Sequence, residues 1–232
     1  MPAICADEHL IAEIRQALRS AADPQRAPGM QEYMKSAMPY LGVRVPQVRA
    51  IVHAAARERP PPSIGALRDT TLVLWRGASH REERYAATAL TDVVAARRLR
   101  APELITLHEE LIVTGAWWDH VDELSWRVGE LLLGFPVEIR PIVSAWQQST
   151  DHWLRRASII CQLGASERTD LELLTAAILA SAHERDFFLR KGIGWALRDY
   201  ARTDPQWVRS FVEKHAGQLS PLSRREALKR IN

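Results

Sequence analysis

The sequence predicts an all-α protein of short helices joined by turns, and three observations lead there. Apolar residues recur at three- and four-residue spacing along nearly the whole chain. Several prolines stand where helices would begin, a position that tolerates a missing N–H. No alternating apolar–polar run bounded by turn residues makes a convincing strand.

The elements follow in order. From Asp7 to Ala22, Leu10, Ile11, Ile14 and Leu18 share a face. From Val45 to Arg57, Pro46 sits near the start and Val48, Ile51 and Val52 line one side. The run Pro60–Pro62 reads as a turn between helices. A helical pattern covers Glu82 to Leu99, Pro102 opens the next helix, and Pro136 and Pro141 mark the turn and first part of another. Further helices are predicted from Asp151 to Leu163, Asp170 to Ala182, Phe187 to Ala201, Pro205 to His215 and Pro221 to Ile231. The whole chain, 1–232, is expected to form a single domain.

A weak internal repeat refines this picture. Glu-Arg-Tyr-Ala-Ala around Arg84, Leu-Arg-Arg-Ala-Ser-Ile around Arg156 and Leu-Arg-Lys-Gly-Ile-Gly around Arg190 each set a basic residue before a small one. The anchors recur about one or two HEAT units apart, a unit being roughly 40–47 residues. Small residues let neighbouring helices approach closely. The expectation is a HEAT-like repeat solenoid of antiparallel helix pairs with a concave basic face. Arginines at equivalent places would line that face as a phosphate cradle, or else form the solvated ends of packed helices. The repeats alone leave both readings open.

Composition narrows the function classes. The net charge is +3, which permits an anionic partner without demanding one. Lysine occurs only at Lys35, Lys191, Lys214 and Lys229. The prevalence of arginine fits planar phosphate contacts, and equally an Arg- and Ala-biased composition. Cys5 and Cys161 fit no zinc or redox spacing and suggest a reduced, cytoplasmic setting. The early acids Asp7 and Glu8 argue against a signal peptide, and no apolar run approaches a membrane span. There is no phosphate-binding glycine loop and no nucleophile elbow, and His108, His120 and His152 lack partners at metal-ligand spacing. No metal or organic cofactor is expected.

The segment Trp117-Trp118-Asp119-His120-Val121-Asp122 is the most unusual. Trp118 and Asp122 are four apart and share a helix face. Trp153 and Trp195 lie on later helices, each near a basic group. Tryptophan in a helical protein is more often core than site. A buried carboxylate, however, is costly without a partner. Arg155 or Arg156 could supply one from a neighbouring helix, which makes a Trp–Asp–Arg cluster a candidate site.

These segments, in their order and spacing, resemble the AlkD-like DNA alkylation repair glycosylases from Tyr33 to Ile231. The resemblance is carried by Tyr33-Met34-Lys35, by Met38 through Val43 to Pro46 and Arg49, and by Trp117-Trp118-Asp119 with Val121-Asp122. It continues in Trp153 to Ala157, in Phe187-Phe188 with Lys191, Ile193-Gly194-Trp195, Leu197-Arg198 and Tyr200-Ala201, and in Leu219 to Ser223 with Arg225-Glu226-Ala227. It implies that Trp118 and Asp122 form the catalytic face. The active-site arginine falls on Arg156, with Arg155 as second choice, and a sugar-contacting tryptophan falls on Trp195. The loop with Arg44, Val45 and Pro46 resembles the part that approaches the strand opposite a lesion. Lys35, Arg84, Arg155, Arg190 and Lys191 complete the expected DNA contacts.

The resemblance further implies hydrolysis of the N-glycosidic bond of N3- or N7-alkylated purines in duplex DNA, by a monomer. Such a base departs neutral, leaving an oxocarbenium-like sugar that Asp122 would stabilise. A non-catalytic HEAT-like DNA-binding protein and a protein-interaction scaffold are the competing classes.

Overall fold

The computed structural model describes residues 5–229 and 231, and among these it is all-helical, as the periodicity predicted. The chain divides into two compact units, residues 1–107 and 108–232.

The first unit holds α1 (Glu8–Ser20), α2 (Ala27–Met34), α3 (Val45–Glu58), α4 (Ile64–Arg76), α5 (Arg81–Leu90) and α6 (Val94–Arg98). Helix α1 buries Leu10, Ile11, Ile14 and Leu18 on one stripe, and Asp7 caps it by accepting from the Leu10 N–H at 2.9 Å. Such a cap contributes about 1 kcal/mol. Helices α1, α3 and α5 pack side by side, with α4 against α5.

The helix predicted from Glu82 to Leu99 is in fact two, α5 and α6. The Thr88 hydroxyl donates to the Arg84 carbonyl and the Thr91 hydroxyl to the Thr88 carbonyl. Hydroxyls bonded back onto helical carbonyls weaken the ladder. Val93 then turns extended and starts α6.

Helix α7 (Leu104–Gly115) carries the unit boundary, and the second unit continues with α8 (Trp118–Gly134), α9 (Pro136–Trp146), α10 (His152–Ile160), α11 (Leu171–Ser181), α12 (Phe187–Tyr200), α13 (Pro205–Lys214) and α14 (Pro221–Leu228). The stretch expected to run to Ile231 stops as helix at Leu228, and Arg230 lies outside the described residues. Helix α8 neighbours α10, α10 neighbours α12, and α12 neighbours α14. They run in the same direction, because paired positions rise together. Asp122 meets Arg156 and Gly129 meets Cys161; Arg190 meets Ser223 and Gly194 meets Glu226. Between them α9, α11 and α13 return the chain, so the unit repeats a helix pair. The small residues do lie at the contacts: a Cβ on Gly129 would stand 1.9 Å from the Cys161 carbonyl oxygen. A shared core of Ile159, Ile160, Leu174, Ile178, Leu189, Ile193, Leu197 and Val208 fixes α10 to α13 against one another.

This arrangement puts the N-termini of α8, α10, α12 and α14 at one end of their row. Asp151, Asp186 and Ser220 cap three of them. The residues singled out from the sequence as chemically unusual begin α8 and α10 at that end.

Candidate active site

Trp117 is extended and α8 starts at Trp118. One turn further, Asp122 projects toward α10. There Arg156, buried with only 5% of its side chain exposed, meets it side-on. The Arg156 Nε–H donates to Asp122 Oδ1 at 2.7 Å and Nη2–H donates to Oδ2 at 2.9 Å. This two-pronged geometry fixes carboxylate orientation as well as charge. The third guanidinium nitrogen, Nη1, donates to the Phe188 carbonyl on α12. One arginine thus ties three helices together.

Of the two arginines the sequence left in contention, Arg156 is the one on Asp122. Arg155 turns away, and its Nη1–H donates to Glu184 Oε1 at 2.6 Å.

Asp122 keeps 17% of its side chain exposed. Its carboxyl is raised above the ordinary aspartate value of 3.8, because burial, together with the nearby Asp119, outweighs the lowering effect of Arg156. A carboxylate in this state is incompletely compensated. A cation forming beside it would gain more than at a solvated acid.

Aromatic rings gather at the same end of the row. Phe188 lies edge-on to Trp117 with centroids 5.5 Å apart, and 5.1 Å from Trp153. Trp117 and Trp153 are 6.1 Å apart. Phe187, 58% exposed, stands edge-on to Phe188 at 5.5 Å. Trp118 is half-buried at the first position of α8. Trp195 is half-buried on α12 and packs against the core shared by α10 to α14.

The remaining basic residues differ in how committed they are. In the second unit, Arg190 Nε–H donates to the Glu184 carbonyl at 2.8 Å, and Lys191 lies 3.2 Å from Glu226 with 39% of its side chain exposed. In the first unit, Lys35 is exposed and ends α2 in a left-handed conformation. Arg44 and Pro46 are exposed at the start of α3. Arg84 is half-buried, its guanidinium 4.8 Å above the Trp75 ring. Burial, and then Arg81, lower its pKa.

The loop before Arg44 is held by a residue that sequence reasoning passed over. Glu82 is fully buried and accepts from the backbone N–H groups of Leu41 at 2.9 Å, Gly42 at 2.9 Å and Val43 at 3.1 Å. Gly42 has a φ of +86°, and a Cβ there would stand 2.1 Å from the Asp23 carbonyl oxygen. An acid in a first turn ordinarily reads as solvated, so nothing in the local pattern distinguished Glu82. The Phe188 carbonyl was equally silent, since every residue carries one.

An all-helical chain of repeated helix pairs, with a desolvated carboxylate locked to an arginine beside clustered rings, defines a class of helical-repeat protein with a built polar site. Comparison with known proteins narrows the class. The chain belongs to the DNA alkylation repair enzyme family, whose model matches residues 14–231. A solved structure described as a predicted DNA alkylation repair enzyme from Enterococcus faecalis has the same fold, with a TM-score of 0.80 and 28% identity over 90% of this chain and 96% of that one. No curated protein matches. Among the described residues no helix is long and apolar enough to cross a membrane.

Proposed function

We propose that this protein is a DNA glycosylase that removes N3- and N7-alkylated purines from duplex DNA. The observation that carries the reading is the Asp122–Arg156 pair: a partly buried carboxylate held in one orientation by a two-pronged guanidinium, with one side still open. Membership of a DNA alkylation repair family supports DNA as the substrate, and the alkylated purine is this reading's own step.

Alkylation at a ring nitrogen makes the purine cationic. The C1′–N bond breaks with both electrons going to the base, which leaves neutral and needs no general acid. The deficit passes to the sugar as an oxocarbenium-like cation. Asp122 stabilises that cation, and a water oxygen then bonds to C1′ and gives its proton to Asp122 or to solvent. Preorganised charge of this kind is often the largest catalytic term. Trp118 and Trp195 hold the sugar by ring-face contacts. Arg156 orients Asp122 and adds positive charge near the adjacent phosphate.

Lys35 and Arg44, both exposed, and the half-buried Lys191, which pairs with Glu226, make the phosphate contacts in this reading, and Pro46 shapes the loop beside Arg44. Arg84, Arg155 and Arg190 have internal partners and contribute mainly to the field. The whole chain acts as one domain, a monomer in the cytoplasm, with no metal or organic cofactor.

Purified protein incubated with methylated duplex DNA is expected to release free 3-methyladenine and 7-methylguanine, read by chromatography. Salt-steep duplex binding without release would make it a non-catalytic DNA-binding protein. Binding that is absent, or flat with salt, would make it a protein scaffold.

A further inference from the structure

Arg156 gives two of its nitrogens to Asp122 and the third to one backbone acceptor on α12. That acceptor is the carbonyl of Phe188, the second residue of α12. It stands at the start of that helix, directly after the turn that delivers the chain from α11 into α12.

Two arginines grip this turn, and both grip the same residue. Arg155 donates to the Glu184 carboxylate at 2.6 Å, while Arg190 donates to the Glu184 backbone carbonyl at 2.8 Å. Arg155 comes from α10 and Arg190 from α12. Asp186 then caps α12 through the Leu189 N–H at 2.8 Å. Adjacent arginines on α10 thus diverge: Arg156 reaches α8 and the start of α12, and Arg155 reaches the turn before α12.

The opposite side of Arg156 is closed by Gly192. A Cβ there would stand 3.1 Å from Arg156 Nη1, so the guanidinium has a carbonyl in front and backbone alongside. The Glu184 carboxylate works against a polyanionic substrate, so DNA binding gives it no use. A partly exposed ion pair contributes little to stability.

We propose that Glu184 is a positioning residue: clasped by Arg155 and Arg190, it sets the Phe188 carbonyl that holds Arg156 against Asp122. This assignment rests on the proposed role of Asp122 in base release. It removes Arg155 and Arg190 from direct phosphate contact and gives them an internal task.

The test uses two variants of the full chain. Glu184→Gln removes the charge from the Arg155 arm of the clasp without changing side-chain size and leaves the Arg190 bond to the backbone carbonyl in place, and Gly192→Ala crowds Arg156 from the other side. In each, single-turnover release is expected to fall about tenfold, because small displacements of a catalytic group are felt strongly. Duplex affinity is expected to stay the same, or to tighten in Glu184→Gln as an anion is lost. Without DNA, the Arg156 Nε–H proton resonance should move upfield and exchange faster with solvent in both variants. A rate loss matched by an equal loss of affinity would overturn the proposal, as would an unchanged Arg156 resonance. If the parent releases no base, the proposed activity fails, and the Arg156 resonance decides the clasp by itself.

Discussion

Each unit draws a carboxylate near the start of a helix out of water, and the two are answered in opposite ways. Glu82 on α5 is fully buried and accepts three backbone N–H bonds from one loop. Asp122 on α8 is partly open, takes one side-on guanidinium, and is held above the ordinary aspartate pKa by burial. Backbone amides arranged around Glu82 make a closed lock on the chain. A single arginine behind Asp122 leaves a charge that is oriented but undersupplied. The two acids differ in how fully the surroundings answer the charge and in whether a face remains open, and the proposed chemistry rests on that difference.

The comparison breaks most directly by neutralising each acid. Asp122→Asn is expected to slow base release about 10³-fold, the upper range for removing one electrostatic contact. Its duplex affinity should be that of the parent. Glu82→Ala should do the reverse: it leaves three buried N–H groups without an acceptor and destabilises the first unit by about 3 kcal/mol. Denaturant unfolding measures that loss, and loss of release without loss of stability would mean that Glu82 is no lock.

Arg156→Met sharpens the Asp122 half. Release should fall about 10²-fold as the carboxylate loses its orientation. The same variant should change the pH profile. Asp122 must be ionised to act, and its pKa is raised, so the rate falls with decreasing pH at a point above 3.8. Arg156 lowers that pKa, so its removal moves the acid limb further up. A limb at the ordinary aspartate position, or one unmoved by Arg156→Met, would contradict the account. The smallest effect belongs to Lys191→Met, which should reduce the salt slope of duplex binding by about one while leaving release at saturating DNA unchanged.

Much of this was legible in the sequence. Helices with clear apolar stripes, such as α1 and α12, were predicted within a few residues of their ends. Helix α2 was not, because only Met34 is buried in it and its stop depends on Lys35 taking a left-handed turn. Helix α4 follows the triple-proline turn, and its buried face includes Thr70 and Thr71, which blur the apolar stripe. The α5–α6 break lies in threonine hydroxyl bonds that periodicity does not register. For the site, the four-residue spacing put Trp118 and Asp122 on one face, and the need for a counter-charge pointed to Arg155 or Arg156. Choosing between them took the geometry of α10 against α8. Glu82, Glu184 and the Phe188 carbonyl find side-chain or backbone partners tens of positions away in sequence, and no local pattern marks such pairings.

The central claim is that Asp122 answers a positive charge on the sugar. A duplex carrying a cationic pyrrolidine in place of one deoxyribose imitates that charge. The parent should bind it about 10²-fold or more tightly than the unmodified duplex, as expected for a transition-state mimic. Asp122→Asn should lose that preference while binding the unmodified duplex normally. An Asn variant that still prefers the cationic sugar by the parental margin would contradict the account.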